Sequence, residues 1–141
     1  MSISATIGKL QGLHATVTGI KSARTAFPSV LNTAVLPIAL TWAGEAQWDL
    51  QALNLYRQDR TYIVRVYVQP VAQDIAGVDN GFTDTIALIN AVGLKYVGDM
   101  TLTGSIDHIA SISDSGIKTL TWAGTDYWGF EFTLAITEKT T

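Results

Sequence analysis

Side chains that could do chemistry are scarce in this chain of 141 residues, which contains two histidines, twelve carboxylates and no cysteine. Without cysteine there can be no thiol nucleophile, thiolate metal site or disulfide. His14 and His108 lie in unrelated segments, and neither has a neighbour at metal-ligand spacing that makes a convincing pair. Phosphate-binding loops and nucleophile motifs are absent from the sequence. We therefore expect no metal, no cofactor and no enzymatic activity, and a structural or binding role is favoured.

Composition excludes further classes of function. Hydrophobic residues make up 48% of the chain and charged residues 15%, which indicates a folded domain, here taken as one domain over residues 1–141. A net charge of -3 with no run of Lys or Arg argues against sequence-specific nucleic-acid binding. No signal peptide and no stretch near 20 apolar residues occurs, so we expect no membrane association and synthesis as a soluble cytoplasmic protein.

The charges are unevenly divided along the chain. Residues 1–70 carry six basic and three acidic side chains, whereas residues 71–141 carry three basic and nine acidic ones. One interpretation is that both halves share a fold and their charges intermix on its surface. The other is that patches of opposite sign meet head to tail between copies in a ring.

The element that must organise the chain is a β-hairpin. Residues 61–70 alternate apolar and polar side chains with many β-branched and aromatic residues, which predicts a half-buried strand ending at Pro70. Residues 48–56 can pair with it across a polar loop at 57–60. Arg57, Asp59 and Arg60 would then lie at the hairpin tip, either because tips are solvated or because the tip reaches a neighbouring subunit.

Arg65 lies in the middle of this predicted central strand. A charged side chain there needs a partner or an exposed face. A position facing a lumen or another subunit would satisfy it.

The remaining elements complete an α+β fold. Apolar spacing predicts a helix over residues 3–23 and a second over 82–92, capped by Asn80 or Thr83 and ended at Gly93. Residues 127–138 alternate cleanly and predict a strand beside the hairpin. We expect a mixed, mostly antiparallel sheet with a central hairpin, packed against two helices.

A five-residue segment, Leu-Thr-Trp-Ala-Gly, occurs at residues 40–44 and again at 120–124, each time followed by a tryptophan four residues after the glycine. The two copies contain all four tryptophans: Trp42, Trp48, Trp122 and Trp128. One interpretation makes each copy a glycine-containing turn that leads into a core strand, with packed tryptophans. The alternative is a pair of exposed aromatic platforms for a glycan or a protein partner.

The order of elements resembles the small tail terminator and tail-completion proteins of long-tailed bacteriophages. The likeness rests on the strand Tyr-Ile-Val-Arg-Val-Tyr-Val at 62–68 and the ending Tyr-Trp-Gly-Phe-Glu-Phe-Thr-Leu at 127–134. The resemblance implies a subunit of a homohexameric ring at the head-proximal end of the virion tail, assembled in the host cytoplasm. Its expected partners are further copies of itself, the tail tube protein and a neck or head-completion protein.

The same resemblance implies that duplex DNA passes through the lumen of the ring without being read. A weakly acidic protein suits that role, because strong positive charge would retain the DNA. Two alternatives stay open. One is another neck or head-tail joining protein of the virion, and the other is an aromatic-rich module that binds a glycan or a protein.

Overall fold

A computed structural model describes residues 3–53, 55–71, 78–102, 104, 106 and 108–139. Two helices and six strands are present in these ranges, which confirms the expected α+β class. In chain order the elements are α1 (Ile3–Ala15), β1 (Ser22–Ala23), a 3-10 turn (Thr33–Val35), β2 (Ile38–Ala52), β3 (Leu55–Pro70), α2 (Val78–Gly98), β4 (His108–Asp114), β5 (Lys118–Trp122) and β6 (Thr125–Lys139).

The strands form one mixed sheet in the order β1-β2-β3-β6-β4, and β5 also pairs with β6. The β1–β2 pairing is parallel and the others are antiparallel. β4 pairs with the C-terminal half of β6 and β5 with its N-terminal end. The predicted central hairpin is therefore confirmed as β2–β3, and β6 lies beside it as expected.

The main core lies between the sheet and the two helices. Alternate residues of β3 and β6 point to this side because successive side chains of a strand face opposite ways. Fully or nearly fully buried side chains on this face include Tyr62, Val64, Val66, Phe130, Phe132, Leu134 and Ile136 from the sheet, with Leu10, Leu88, Val92 and Tyr96 from the helices. The alternation predicted for both strands is confirmed here.

A smaller core covers the opposite face of the sheet. Tyr67 of β3 and Tyr127 of β6 are buried there with their rings in edge contact, 5.7 Å between centroids. Leu31 and Leu36, from the segment between β1 and β2, pack over them. The connection that follows α1 therefore wraps round to bury this second face.

Both helices differ in length from the prediction. α1 ends at Ala15 rather than near residue 23, because Gly19 adopts a positive φ of 102° and Ser22–Ala23 pairs with β2. α2 runs from Val78 to Gly98, so Asn80 and Thr83 lie inside it and do not cap it. Gly93 does not end α2; a Cβ there would meet Phe132 at 3.5 Å, because the helix passes close to the sheet at this point.

The predicted position of the hairpin turn was also wrong. Arg57, Asp59 and Arg60 lie within β3 and pair with Asp49, Gln47 and Ala46 of β2. The chain turns from β2 into β3 near Leu53, four residues earlier than the sequence predicts. The polar residues 57–60 lack the apolar alternation that distinguishes a strand from a loop.

Candidate interaction surfaces

The two repeated segments meet in space. Trp42 and Trp122 lie with ring centroids 6.1 Å apart on the face of the smaller core, and Phe27 contacts both, at 4.7 and 6.1 Å. Trp122 also makes an edge contact with Tyr67 at 5.7 Å. All of these rings except Tyr67, which is fully buried, keep part of their surface in solvent. The result is an aromatic cluster at the border between core and surface.

The two copies have different backbone structures despite identical residues. Residues 40–44 are continuous strand within β2, with an irregularity in the pairing after Ala43. In the second copy Ala123 and Gly124 both have positive φ, 51° and 81°, and form the turn between β5 and β6. Such a pair of φ values is typical of the two-residue turns that join antiparallel strands. The prediction of a turn was therefore right for the second copy and wrong for the first.

The geometry of this cluster disfavours a flat sugar platform. The Trp42 ring is in contact with Phe27, and the guanidinium carbon of Arg65 lies 5.2 Å from its centroid. The Trp42 and Trp122 planes are inclined at 59°. Stacking on a sugar needs an open ring face, whereas the Trp42 ring already contacts Phe27 and Arg65.

Arg65 finds its partner within the subunit. Its Nε donates to Glu131 Oε2 at 2.7 Å, across the β3–β6 pair in which the two residues are directly opposite. The hydrogen bond to Glu131 raises the pKa of Arg65 further above its already high value. The pair joins the basic first half of the chain to the acidic second half, so charges of the two halves intermix here. A lumen or a second subunit is not needed to compensate Arg65.

The other predicted charged residues also have partners. Nε and Nη2 of Arg57 lie 3.0 to 3.2 Å from the carboxylate oxygens of Asp59 and form an ion pair with them. The Thr137 hydroxyl donates to the same carboxylate at 2.8 Å. The Arg57 hydrogen bond, followed by that of Thr137, lowers the pKa of Asp59. Arg60 donates to the Gly44 carbonyl at 2.9 Å and to Gln58 at 3.0 Å. These side chains therefore stabilise the paired part of the hairpin and do not lie at its tip.

The tip itself is apolar and exposed. Leu50 is 81% exposed and Leu53 91% exposed, while Leu55 and Trp48 are about half exposed. Trp48 stacks on Tyr56 with 4.8 Å between centroids. We call residues 48–53 with 55–56 the hairpin tip. Sequence reasoning missed it although three leucines within six residues were the signal, because leucine side chains are more often buried than exposed.

The position of the tip explains its exposure. The last described pair of β3 with β6 is Arg57 with Lys139, so the tip continues beyond the body by about 10 Å at 3.3 Å per residue. Gln58 lies opposite Glu138, whose carboxylate accepts a hydrogen bond from Thr6 of α1. Trp48 and Leu50 pair with Gln58 and Tyr56 and share this helix-side face. The core face of the sheet therefore continues into the tip, and neither helix of the described ranges covers it there.

A buried polar network, which the sequence did not reveal, holds α1 to its surroundings. The Gln11 side chain donates to the carbonyls of Ala39, at 2.8 Å, and Arg24, and accepts from Thr41 at 2.9 Å. Gln11 Oε1 can only accept, so His14 Nδ1 carries the proton and donates to it at 2.7 Å. His14 Nε2 then accepts from the Tyr96 hydroxyl at 2.5 Å.

Burial dominates the ionisation of this network. It lowers the pKa of His14 to about 3 and raises the pKa of Tyr96 well above its usual value, so both are neutral at pH 7. Every polar atom of the His14 ring has a partner, and its exposed fraction is 0%. His14 therefore serves to fix α1 against α2 and β2.

The described residues contain no group of three or more His, Cys, Asp or Glu side chains that could hold a metal ion. Neither described helix is long and apolar enough to cross a membrane. Trp128 lies at the β5–β6 pairing opposite Thr119 and is half-buried, apart from the Trp42–Trp122 cluster. Comparison with protein-family models and with curated protein sequences finds no match to this chain.

Proposed function

We propose that this protein is a virion structural protein that assembles into a ring, acting as a tail terminator of a long-tailed bacteriophage. The observation that carries the proposal is the hairpin tip. Leu50 and Leu53 expose nearly their whole side chains on a braced two-stranded arm. Exposed apolar surface on a protruding element is typical of a contact with another protein.

The rest of the subunit suits an assembly role. β3 runs from the tip through the centre of the sheet, so the tip is anchored in the core of the subunit. A net charge of -3 permits duplex DNA to pass through a lumen without being retained. The aromatic cluster and the Arg65–Glu131 pair are engaged within the subunit, which leaves the tip as the surface in greatest need of a partner.

In this role the ring stops tail assembly by having two unequal faces. One face docks on the last ring of tail tube protein, and the other cannot accept a further tube ring and binds the neck or head-completion protein instead. The subunit would then reside in the virion at the head-proximal end of the tail, after assembly in the host cytoplasm. Such a mechanism needs shape and contact surface and no catalytic group.

The test is imaging of the purified protein by negative-stain electron microscopy at high subunit concentration, with native mass spectrometry. We expect closed rings of one stoichiometry, near six, with a lumen wide enough for duplex DNA. Polymerising tube protein from the same phage should then give tubes that stop growing when the rings are added. Rings that leave tube length unchanged would favour another neck protein, and a strictly monomeric protein that does not bind tubes would refute the proposal.

A further inference from the structure

The outer side of the two helices carries a groove that the subunit does not fill. Between α1 and the C-terminal half of α2 lies a depression of about 580 Å³, lined by Leu13, Ala91, Leu94, Lys95, Gly98 and Asp99. It adjoins a smaller one of about 260 Å³ that is lined by Lys9 and Gly12, among others. A Cβ placed on Gly12 or Gly98 would meet nothing within 4 Å, so the floor is open.

The groove has an apolar rim. Leu94, which lines the groove from α2, is 62% exposed, and the partly buried Leu13 lines it from α1. The subunit therefore has two unpaired apolar surfaces, this concave one on its helices and the convex hairpin tip. The two surfaces match each other, because no described helix covers the helix-side face of the tip and no described element covers the outer face of the helices.

Charge supports the same pairing. Lys9 and Lys95 line the groove, and together with Asp99 they leave it with one net positive charge. β2 carries Glu45 and Asp49, both exposed, on the arm that ends in the tip. Within the described part of the chain, Glu45, Asp49, Lys9 and Lys95 form no ion pair.

We infer that the hairpin tip of one copy seats in the α1–α2 groove of a second copy. Leu50 and Leu53 would lie against Leu94 and the open floor at Gly12 and Gly98, with Asp49 near Lys95. The two surfaces are different, so the contact is heterologous and repeats around a ring when the rotation closes. The inference rests on the proposed function and specifies the subunit contact of that ring.

The absence of cysteine makes cross-linking a clean test. Ala52, exposed in the tip, is replaced by Cys in one sample, and Thr16, exposed at the edge of the groove, is replaced in another. We expect a mixture of A52C and T16C to form a disulfide dimer at least about tenfold faster than a mixture of A52C and T121C, because a held contact raises the effective concentration. Thr121 is the matched control, since it is exposed on β5.

Two further variants test the contact without cysteines. Gly12→Leu fills the groove floor and should abolish the concentration-dependent increase in sedimentation coefficient. The folded subunit should keep its circular dichroism spectrum and melt at no lower a temperature, because leucine is a better helix former than glycine. Asp49→Lys and Lys95→Glu should each weaken association, and the double variant should recover it. Recovery would not be expected if either side chain acted only within its own subunit.

The results separate this contact from the ring itself. Closed rings that show no preference for the A52C–T16C link would overturn the inference and leave the proposed ring standing. A specific link that yields only open oligomers would support the contact and refute a closed ring. A52C dimers that form as fast alone as in the mixture would mean that tips pair with each other, which contradicts the inference. Association of the G12L variant as strong as that of the unmodified chain would also contradict the inference.

Discussion

Trp42 and Trp122 are 80 positions apart in the chain, yet their rings lie 6.1 Å apart and share Phe27 as a neighbour. The strand pairings β2–β3, β3–β6 and β5–β6 bring them together across the sheet. Both residues flank Tyr67, which is buried on the same face. The repeated segments thus serve one shared packing site, although they differ in backbone structure.

Removing Trp122 should therefore destabilise the fold more than removing the tryptophan at the hairpin tip. Trp122→Ala loses ring contacts with Phe27, Trp42 and Tyr67, and we expect a loss of about 2 kcal/mol in the free energy of unfolding, less than for a fully buried aromatic residue. Trp48→Ala, which loses the stack on Tyr56, should cost less than about 1 kcal/mol. Urea unfolding at constant m-value measures both. Equal losses would contradict a packing role for the cluster.

The aromatic cluster should not bind free sugars. Phe27 and Arg65 already contact Trp42, so we expect mono- and oligosaccharides to leave tryptophan emission unchanged. A Trp48→Phe variant serves as the control, since it removes the most exposed tryptophan from the signal. A saturable shift that persists in Trp48→Phe and disappears in Trp42→Phe would instead support a glycan-binding module.

The pair Arg65–Glu131 should show a small coupling. It is partly exposed, with side chains 40% and 20% accessible, so solvent screens the charges. A double-mutant cycle with Arg65→Met and Glu131→Gln should give a coupling free energy of at most about 1 kcal/mol, reduced in about 1 M salt. Arg65→Met alone should cost more than Glu131→Gln, because it also removes the contact with Trp42. A coupling independent of salt would argue against an electrostatic origin.

Buried His14 makes stability depend on pH. Its pKa is about 3 in the folded protein against an ordinary value of 6.5, so between these values the unfolded chain binds a proton that the folded chain does not. The free energy of unfolding therefore keeps its full value above pH 6.5. It falls as the pH is lowered, by up to about 1.4 kcal/mol per pH unit. Between about pH 6.5 and about pH 5 we expect a loss of about 2 kcal/mol.

Chemical unfolding at each pH measures this slope. His14→Gln should have lower stability at pH 7 and a shallower dependence between about pH 7 and about pH 5. His108→Gln, in which an exposed histidine is replaced, is the matched control for the loss of one imidazole. A His14→Gln variant as steep as the parent would show that other groups cause the pH dependence.

Gly129 should tolerate no side chain. A Cβ there would lie 2.1 Å from the Val66 carbonyl oxygen and 3.0 Å from Leu120, opposite the irregular pairing between Tyr67 and Gln69. Gly129→Ala should cost about 3 kcal/mol, since both the backbone and a packed side chain must move. Gly8→Ala, where a Cβ meets nothing within 4 Å in α1, should instead stabilise by about 0.5–1 kcal/mol. Thermal unfolding of the two variants should show shifts of opposite sign.

The sequence predicted the parts of the fold in which pattern and burial agree. The alternation in β3 and β6 was sufficient to place both strands and their buried faces, because a helix does not produce a period of two. The hairpin turn could not be placed, since Arg57 to Arg60 contain the polar residues of a loop while the actual turn near Leu53 lacks glycine and proline. Gly93 likewise suggested a helix end, although its lack of a side chain serves the packing of Phe132.

The candidate surfaces were harder to predict than the strands. The charge of Arg57, Asp59, Arg60 and Arg65 marks them as candidates in the sequence. Their partners within the chain follow only from the register of β2, β3 and β6. The buried network joins Gln11, Thr41 and Tyr96 from three elements, and no local sequence pattern predicts that these residues meet. Leu50 and Leu53 suggest burial by their type, whereas in the structure they lie beyond the last described pair of β3 with β6.

The continuity of β3 has a mechanical consequence. The strand that forms one side of the hairpin tip is also the central strand of the sheet, paired with β2 on one side and β6 on the other. Tension applied at Leu53 along the strand axis would load the hydrogen bonds of both ladders in shear, so that many must break together, because they lie perpendicular to the strands. A load on the tip would thus be shared by the whole sheet and would not peel away one strand at a time.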